Sequence, residues 1–147
     1  MSDEISAVKK QQAEMFQQYL TAEGYLPTID EDGDVMFKSE GTTFLIIPDE
    51  QDGEFFRLAL PNFWSIDDED ERERVKIACL EVARSLKVVK LFPVRDDTWA
   101  AVEMFVSPIQ SVMDVFWKCV RSLHHAKNAF GKQMRQLQMK EGESEEV

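Results

Sequence analysis

The sequence predicts an α+β fold in two layers. An antiparallel sheet carries helices on one face, in the order α-β-β-β-β-α-β-β-α. Three observations lead there. Helical spacing of apolar residues recurs at 5–23, 67–86 and from residue 107 on. Between the first two, short β-branched and aromatic runs alternate with Asp-Gly and Glu-Gly turns. Between the last two lies a hairpin, residues 87–106, KVVKLFPVRDDTWAAVEMFV, around which the rest is organised.

Ile5 to about Glu23 is the first helix. Ile5, Val8, Met15, Phe16, Tyr19 and Leu20 fall on one side, and Gln11, Gln12, Gln17 and Gln18 on the other. Ser2 or Asp3 can cap its start, and Gly24 suits the position just past its end. Tyr25–Asp30 and Val35–Lys38 flank Glu31-Asp32-Gly33-Asp34, and Asp-Gly between such runs is a hairpin signal. Glu40-Gly41 turns the chain into Thr43–Ile47, apolar on both faces and so placed centrally in its sheet. The loop Pro48–Gly53 leads to Glu54–Leu60, which completes an antiparallel meander. Pro61–Ile66 is a connector with two exposed-looking aromatics, Phe63 and Trp64.

Asp67-Asp68-Glu69-Asp70-Glu71 reads as a helix start, where carboxylates meet unpaired N–H groups and the positive end of the dipole. Val75, Ala78, Cys79, Val82 and Leu86 form that helix's core stripe, widened by Ile77 and Leu80. After the hairpin, Ser107-Pro108-Ile109-Gln110 reads as N-cap, N1 and N3 of the last helix. Its apolar spacing runs from Ile109 to Leu137, and Gly131 is where it could break.

In the hairpin, Arg95-Asp96-Asp97-Thr98 is turn chemistry. Pro93 has no N–H, so it belongs at a non-hydrogen-bonded site. A four-residue loop satisfies this and sets Val94 opposite Trp99, Phe92 opposite Ala101 and Lys90 opposite Glu103. One face then carries Val88, Lys90, Phe92, Val94, Trp99, Ala101, Glu103 and Phe105. The other carries Val89, Leu91, Pro93, Ala100, Val102 and Met104, and is the better core face because it is uncharged.

A chain of 147 residues is one domain by default and can bury a normal core. Residues 1–140 are expected to form it, with 141–147 a disordered acidic tail. Two cysteines inside helical patterns, Cys79 and Cys119, imply no disulfide framework. No apolar run approaches a membrane span or a signal segment, so the expected location is the cytoplasm, with no membrane partner. The formal net charge is −11, which argues against a nucleic-acid partner. The charge is uneven: residues 108–140 hold six basic side chains and one acidic one. Such a basic segment should dock on the acidic body or on an acidic partner.

A search for chemistry finds little. Asp30–Asp34 resembles the opening of a calcium loop, but the sixth residue is Val35 and the twelfth Gly41, where glycine and glutamate are required. An acidic hairpin turn is the better reading. His124 and His125 point about 100° apart on a helix and cannot chelate one ion. No P-loop, nucleophile elbow or zinc spacing is present. No catalytic, cofactor or metal residue is assigned.

What remains is apolar surface. Phe92, Val94, Trp99 and Phe105 share a face with Lys90 and Glu103. Fully buried, each large side chain contributes roughly 1.5–3 kcal/mol, against roughly 0.2–1 kcal/mol for a cross-strand charge pair. The face should therefore be covered, either by a helix of the same chain or by a second molecule.

The DEDGD turn, the stretch SLKVVKLFPVRDDTWAAVEMFVS, and the following helix with FWKCV and AFGKQM resemble one known group. The order of elements over residues 5–137 is similar to the type III secretion chaperone-like fold, and within it to the YbjN-type family of bacterial sensory transduction regulators. The resemblance implies no enzyme activity and dimerisation. Secretion chaperones are small and acidic, and hold an extended segment of a partner on apolar patches and a sheet edge. The leading expectation is thus a non-enzymatic, protein-binding or chaperone-like homodimer. An alternative is a small-molecule pocket between sheet and last helix, near Phe116, Trp117 and His124.

Overall fold

The structure, a computed structural model, describes residues 4–145. Its elements are α1 (Ala7–Ala22), β1 (Thr28–Ile29), β2 (Val35–Ser39), β3 (Thr42–Ile46), β4 (Phe55–Leu60), α2 (Glu69–Ser85), β5 (Val89–Val94), β6 (Asp97–Phe105), a 3-10 turn (Ile109–Asp114) and α3 (Phe116–Glu145). One antiparallel six-stranded sheet has the order β1-β2-β3-β4-β6-β5. The fold is two-layer α+β, as the sequence predicts.

Strand alternation decides which side is core. Val35, Phe37, Phe44, Ile46, Phe56, Leu58, Leu60, Val89, Leu91, Ala100 and Val102 point to one face, and all are buried with side chains of α1, α2 and α3. Rings dominate the middle: Phe116 lies 5.7 Å from Tyr19, 5.9 Å from Phe37 and 4.9 Å from Trp117. The three helices therefore lie on the same side of the sheet.

Local chemistry sets the ends of the elements. Ser6 caps α1 by accepting from the Lys9 N–H; Ser2 and Asp3 lie outside the described residues. Gly24, at φ +94°, closes a paired cap: its N–H bonds to Thr21 and that of Tyr25 to Leu20. Asp68 caps α2 through the Glu71 N–H at 2.7 Å, with Glu69, Asp70 and Glu71 in the first turn. The acidic run is a helix start, as expected.

Several expectations are corrected. Gln12, assigned to the polar side of α1, is buried beside Ala13 and Phe16. Ile77 and Leu80 do not widen the core stripe of α2: they are 47% and 72% exposed. Phe63 and Trp64 pack on Phe130, at 5.2 and 5.4 Å between rings. Their segment is tied to the start of β6 by Phe63 N–H to Thr98 O and Ile66 N–H to Asp96 O. Ser107 caps no helix, because its hydroxyl bonds to Glu54, and α3 begins only at Phe116 after the 3-10 turn. Gly131 does not break α3, which continues through 141–145 with an Arg74–Glu141 ion pair at 2.7 Å. That part of the expected disordered tail is helical; residues 146–147 lie outside the description.

The central hairpin differs in register. Val94 pairs with Asp97, Pro93 with Thr98 and Phe92 with Trp99. The loop is two residues, Arg95-Asp96, with Arg95 at φ +55°. Counting alternately from the closing pair puts Pro93 at a non-hydrogen-bonded site after all. Thr98 confirms it, since its carbonyl accepts from Phe63 and its hydroxyl donates to Trp64 O, both away from β5. The partner strand has slipped by two residues, so every side chain keeps its face.

Candidate protein-binding face

Lys90, Phe92, Val94, Trp99, Ala101, Glu103 and Phe105 lie on the side of the sheet opposite the helices. The sequence does not reveal that β4 joins them. Phe55, Arg57 and Ala59 stand opposite Phe105, Glu103 and Ala101 in the β4–β6 register. Next to them on β3 and β2 come Leu45 and Met36. The only local signal for β4 is its alternation, Phe55-Arg57-Ala59 against Phe56-Leu58-Leu60. Its neighbour β6 follows 37 residues after β4 ends, counting from Leu60 to Asp97, beyond any local pattern.

Among the described residues, no helix covers this face. Phe105 is 81% exposed, with the Phe55 ring 5.7 Å away. Phe92, Val94 and Trp99 are half-buried, shaded by neighbours on the sheet itself. Trp99 donates its indole N–H to Asn62 Oδ1 at 2.9 Å, which fixes the ring against the connector. Ala59 and Ala101 are buried at the centre because larger side chains flank them.

A charged row crosses the middle. Glu103 accepts from Arg57 Nε and Nη2 at 3.2 and 3.1 Å, and also pairs with Lys90. Lys90 stands opposite Ala101, so it reaches Glu103 diagonally; the directly opposed pairing expected from the sequence does not occur. Burial works against ionisation of Glu103, but hydrogen bonds from Lys90 and Arg57, and their charges, outweigh it and hold the carboxyl below its usual range. The two cations also rest on rings: Arg57 over Phe55 at 5.1 Å and Lys90 over Phe92 at 5.4 Å. The charges on this face are thus tied up internally, which lowers the cost of covering it.

β5 is the edge strand nearest this site. Pro93 sits among its outward-pointing backbone positions and offers no N–H, so strand addition there is impaired.

Other candidates resolve into packing. Asp30, Asp32 and Asp34 lie within 4.8 Å of one another. Asp30 Oδ1 accepts the N–H groups of Asp32 and Asp34, and Lys9 places its ammonium 2.8 Å from Asp34. The turn carries its own cation. His124 stands edge-on to Phe44 at 5.1 Å, while His125, the next residue, lies beside a different cleft, between α2 and α3. Phe116, near which a small-molecule pocket was expected, is fully buried among the rings of Tyr19, Phe37, Phe56 and Trp117. Burial pushes the Cys79 thiol up to about 11, and raises that of Cys119 as well; neither is activated as a nucleophile.

No protein-family model and no curated protein matches this chain. Among solved structures, it is similar to an uncharacterized protein from Methanothermobacter thermautotrophicus, with a TM-score of 0.58 and 15% identity. The match covers 84% of this chain and 96% of that one. At that identity the likeness is one of fold: a two-layer α+β domain shared across distant sequences. Among the described residues, no helix is long and apolar enough to cross a membrane.

Proposed function

We propose that this is a non-enzymatic, protein-binding module of the cytoplasm that works as a homodimer through the open face of its sheet. The observation that carries the reading is the placement of Phe55, Phe92, Trp99 and Phe105 on a face that α1, α2 and α3 leave uncovered. Six strands about 4.8 Å apart and about five residues long span on the order of 500 Å² in projection. Side-chain relief brings this towards the ~800 Å² per partner of a specific interface. Charge favours the same face. The formal net charge is −11, whereas Arg57, Lys90 and Lys38 outnumber Glu103 and Asp97 here. Two copies repel least when they meet on this side. The resemblance to YbjN-type regulators and secretion chaperones fits this reading.

Light scattering and sedimentation velocity test it. The purified protein should have twice the 17.0 kDa chain mass. Phe105→Glu and Trp99→Glu should each give a monomer with unchanged helical circular dichroism. A wild-type monomer at all accessible concentrations, or a dimer undisturbed by both substitutions, refutes the proposal. If Trp99→Glu unfolds the chain through its Asn62 contact, Phe105→Glu decides alone.

A further inference from the structure

On the helical side of the molecule, a cleft of about 510 Å³ opens between the end of α2 and the first half of α3. Its lining is Ser85, Leu86, Lys87 and Val89 on one wall, and Lys118, Arg121, Ser122 and His125 on the other. The last four are spaced i, i+3, i+4 and i+7, so they form one stripe along α3. No carboxylate is among the described lining residues. Acidic side chains outnumber basic ones by 28 to 17 in the chain. Even so, Lys87, Lys118, Arg121 and His125 form no ion pair among the described residues, whereas Arg57, Arg72, Arg74, Lys76, Arg84 and Lys90 all do. Lys118 and Arg121 of the basic segment are therefore not neutralised by the acidic body among the described residues, although His124 lies 3.9 Å from Glu40.

The geometry points to a binding site for a small phosphorylated organic molecule. Lys87, Lys118 and Arg121 line the cleft together, and no carboxylate is among its described lining residues, so their like charges repel and a bound dianion relieves that repulsion. Leu86 and the buried Val89 give the cleft an apolar floor, so the ligand carries an apolar or aromatic body beside its phosphate. The volume falls in the range of small-molecule sites. The carboxyl end of α2 also faces this region, with a partial negative charge. That end is partly satisfied already: Leu86 N–H bonds to Val82 O, and the Ser85 hydroxyl to Glu81 O. The phosphate accordingly belongs nearer Lys118 and Arg121 than the end of α2. Val88 at φ +60°, a conformation costly for a β-branched residue, connects Lys87 on the rim to Val89 on the floor. The cleft is on the opposite side of the sheet from the proposed dimer face, so the two readings stand or fall separately.

The test is an amide NMR titration of the full chain at constant ionic strength, with inorganic phosphate, phenyl phosphate and AMP, and with phenol and adenosine as controls. Phenyl phosphate or AMP should shift the amides of residues 86–89 and 118–125 saturably, with a dissociation constant of about 1 mM or lower. Inorganic phosphate should bind the same residues more weakly, and the controls not at all. Lys118→Ala with Arg121→Ala, both on the exposed side of α3, should weaken binding roughly ten-fold or more with the spectrum otherwise intact. Linear shifts with every phosphate, saturable shifts indifferent to the double substitution, or equal binding of phenol and phenyl phosphate would each overturn the assignment.

Discussion

Arg57 stands directly opposite Glu103 across β4 and β6, and both its Nε and Nη2 donate to one carboxylate oxygen, at 3.2 and 3.1 Å. The pair is continued by Lys90 from β5, so β4, β6 and β5 are joined by one charged row on an otherwise apolar face. Two of these residues lie in one hairpin. The third arrives from the far side of α2.

Glu103→Gln should lower stability by about 1 kcal/mol at neutral pH, a value reduced for the partial exposure of both cations. The folded carboxyl is held below its unfolded value, so its contribution is present above the usual glutamate range and is lost as pH falls through the folded value. Urea unfolding of both proteins should show a gap at pH 7 that closes in acid, below about pH 4. A gap that stays constant with pH would mean that the carboxylate's charge contributes nothing.

Exposure separates the phenylalanines. In dilute protein Phe105→Ser should cost less than about 0.5 kcal/mol, as for an ordinary surface position. Phe116→Ala should cost about 3–5 kcal/mol, because it empties the middle of the ring cluster. Equal losses in thermal unfolding would show that the open face is part of the core.

Lys9 and Asp34 form an ion pair whose side chains are only 8% and 13% exposed. Burial pushes the Asp34 carboxyl up more than Lys9 draws it down, which marks desolvation as the larger effect. Lys9→Met should cost about 2–4 kcal/mol by leaving Asp34 without its cation, and Asp34→Asn less, because Asp30 and Asp32 lie within 4.8 Å of the Asp34 carboxylate and remain for Lys9. The double variant should recover at least half of the summed loss in a thermodynamic cycle. Additive losses would mean that the pair is not coupled.

Val88 holds φ +60° while its side chain is largely exposed. Val88→Asn removes the clash of a β-branched residue with that conformation and loses little packing. It should raise stability by about 0.5–1 kcal/mol, read as a higher midpoint in urea. A lower midpoint would show that Val88 contributes contacts worth more than its strain.

Much of the fold was legible because it is local. The order of elements follows from apolar periodicity, and the acidic start of α2, Gly24 after α1 and the Glu40-Gly41 turn each act within a few residues. The core face of the hairpin was also legible, since Lys90 and Glu103 mark the other side whatever the register. The loop was not. Pro93 requires a non-hydrogen-bonded site, and both registers supply one; the anchoring of Thr98 to Phe63 and Trp64 selects the shorter turn. The caps failed where a distant partner intervened, as when Glu54 takes the Ser107 hydroxyl.

By itself, then, the sequence determined which residues prefer helix or strand, and which hairpin face is greasy but charged, because those depend on spacing and side-chain type. Only the tertiary structure decided that β4 lies beside β6, that all three helices share one side, and that Lys87 meets Lys118 and Arg121 across a cleft. Those are contacts between segments far apart in the chain, set by how buried surfaces fit together, and no short window of residues encodes them.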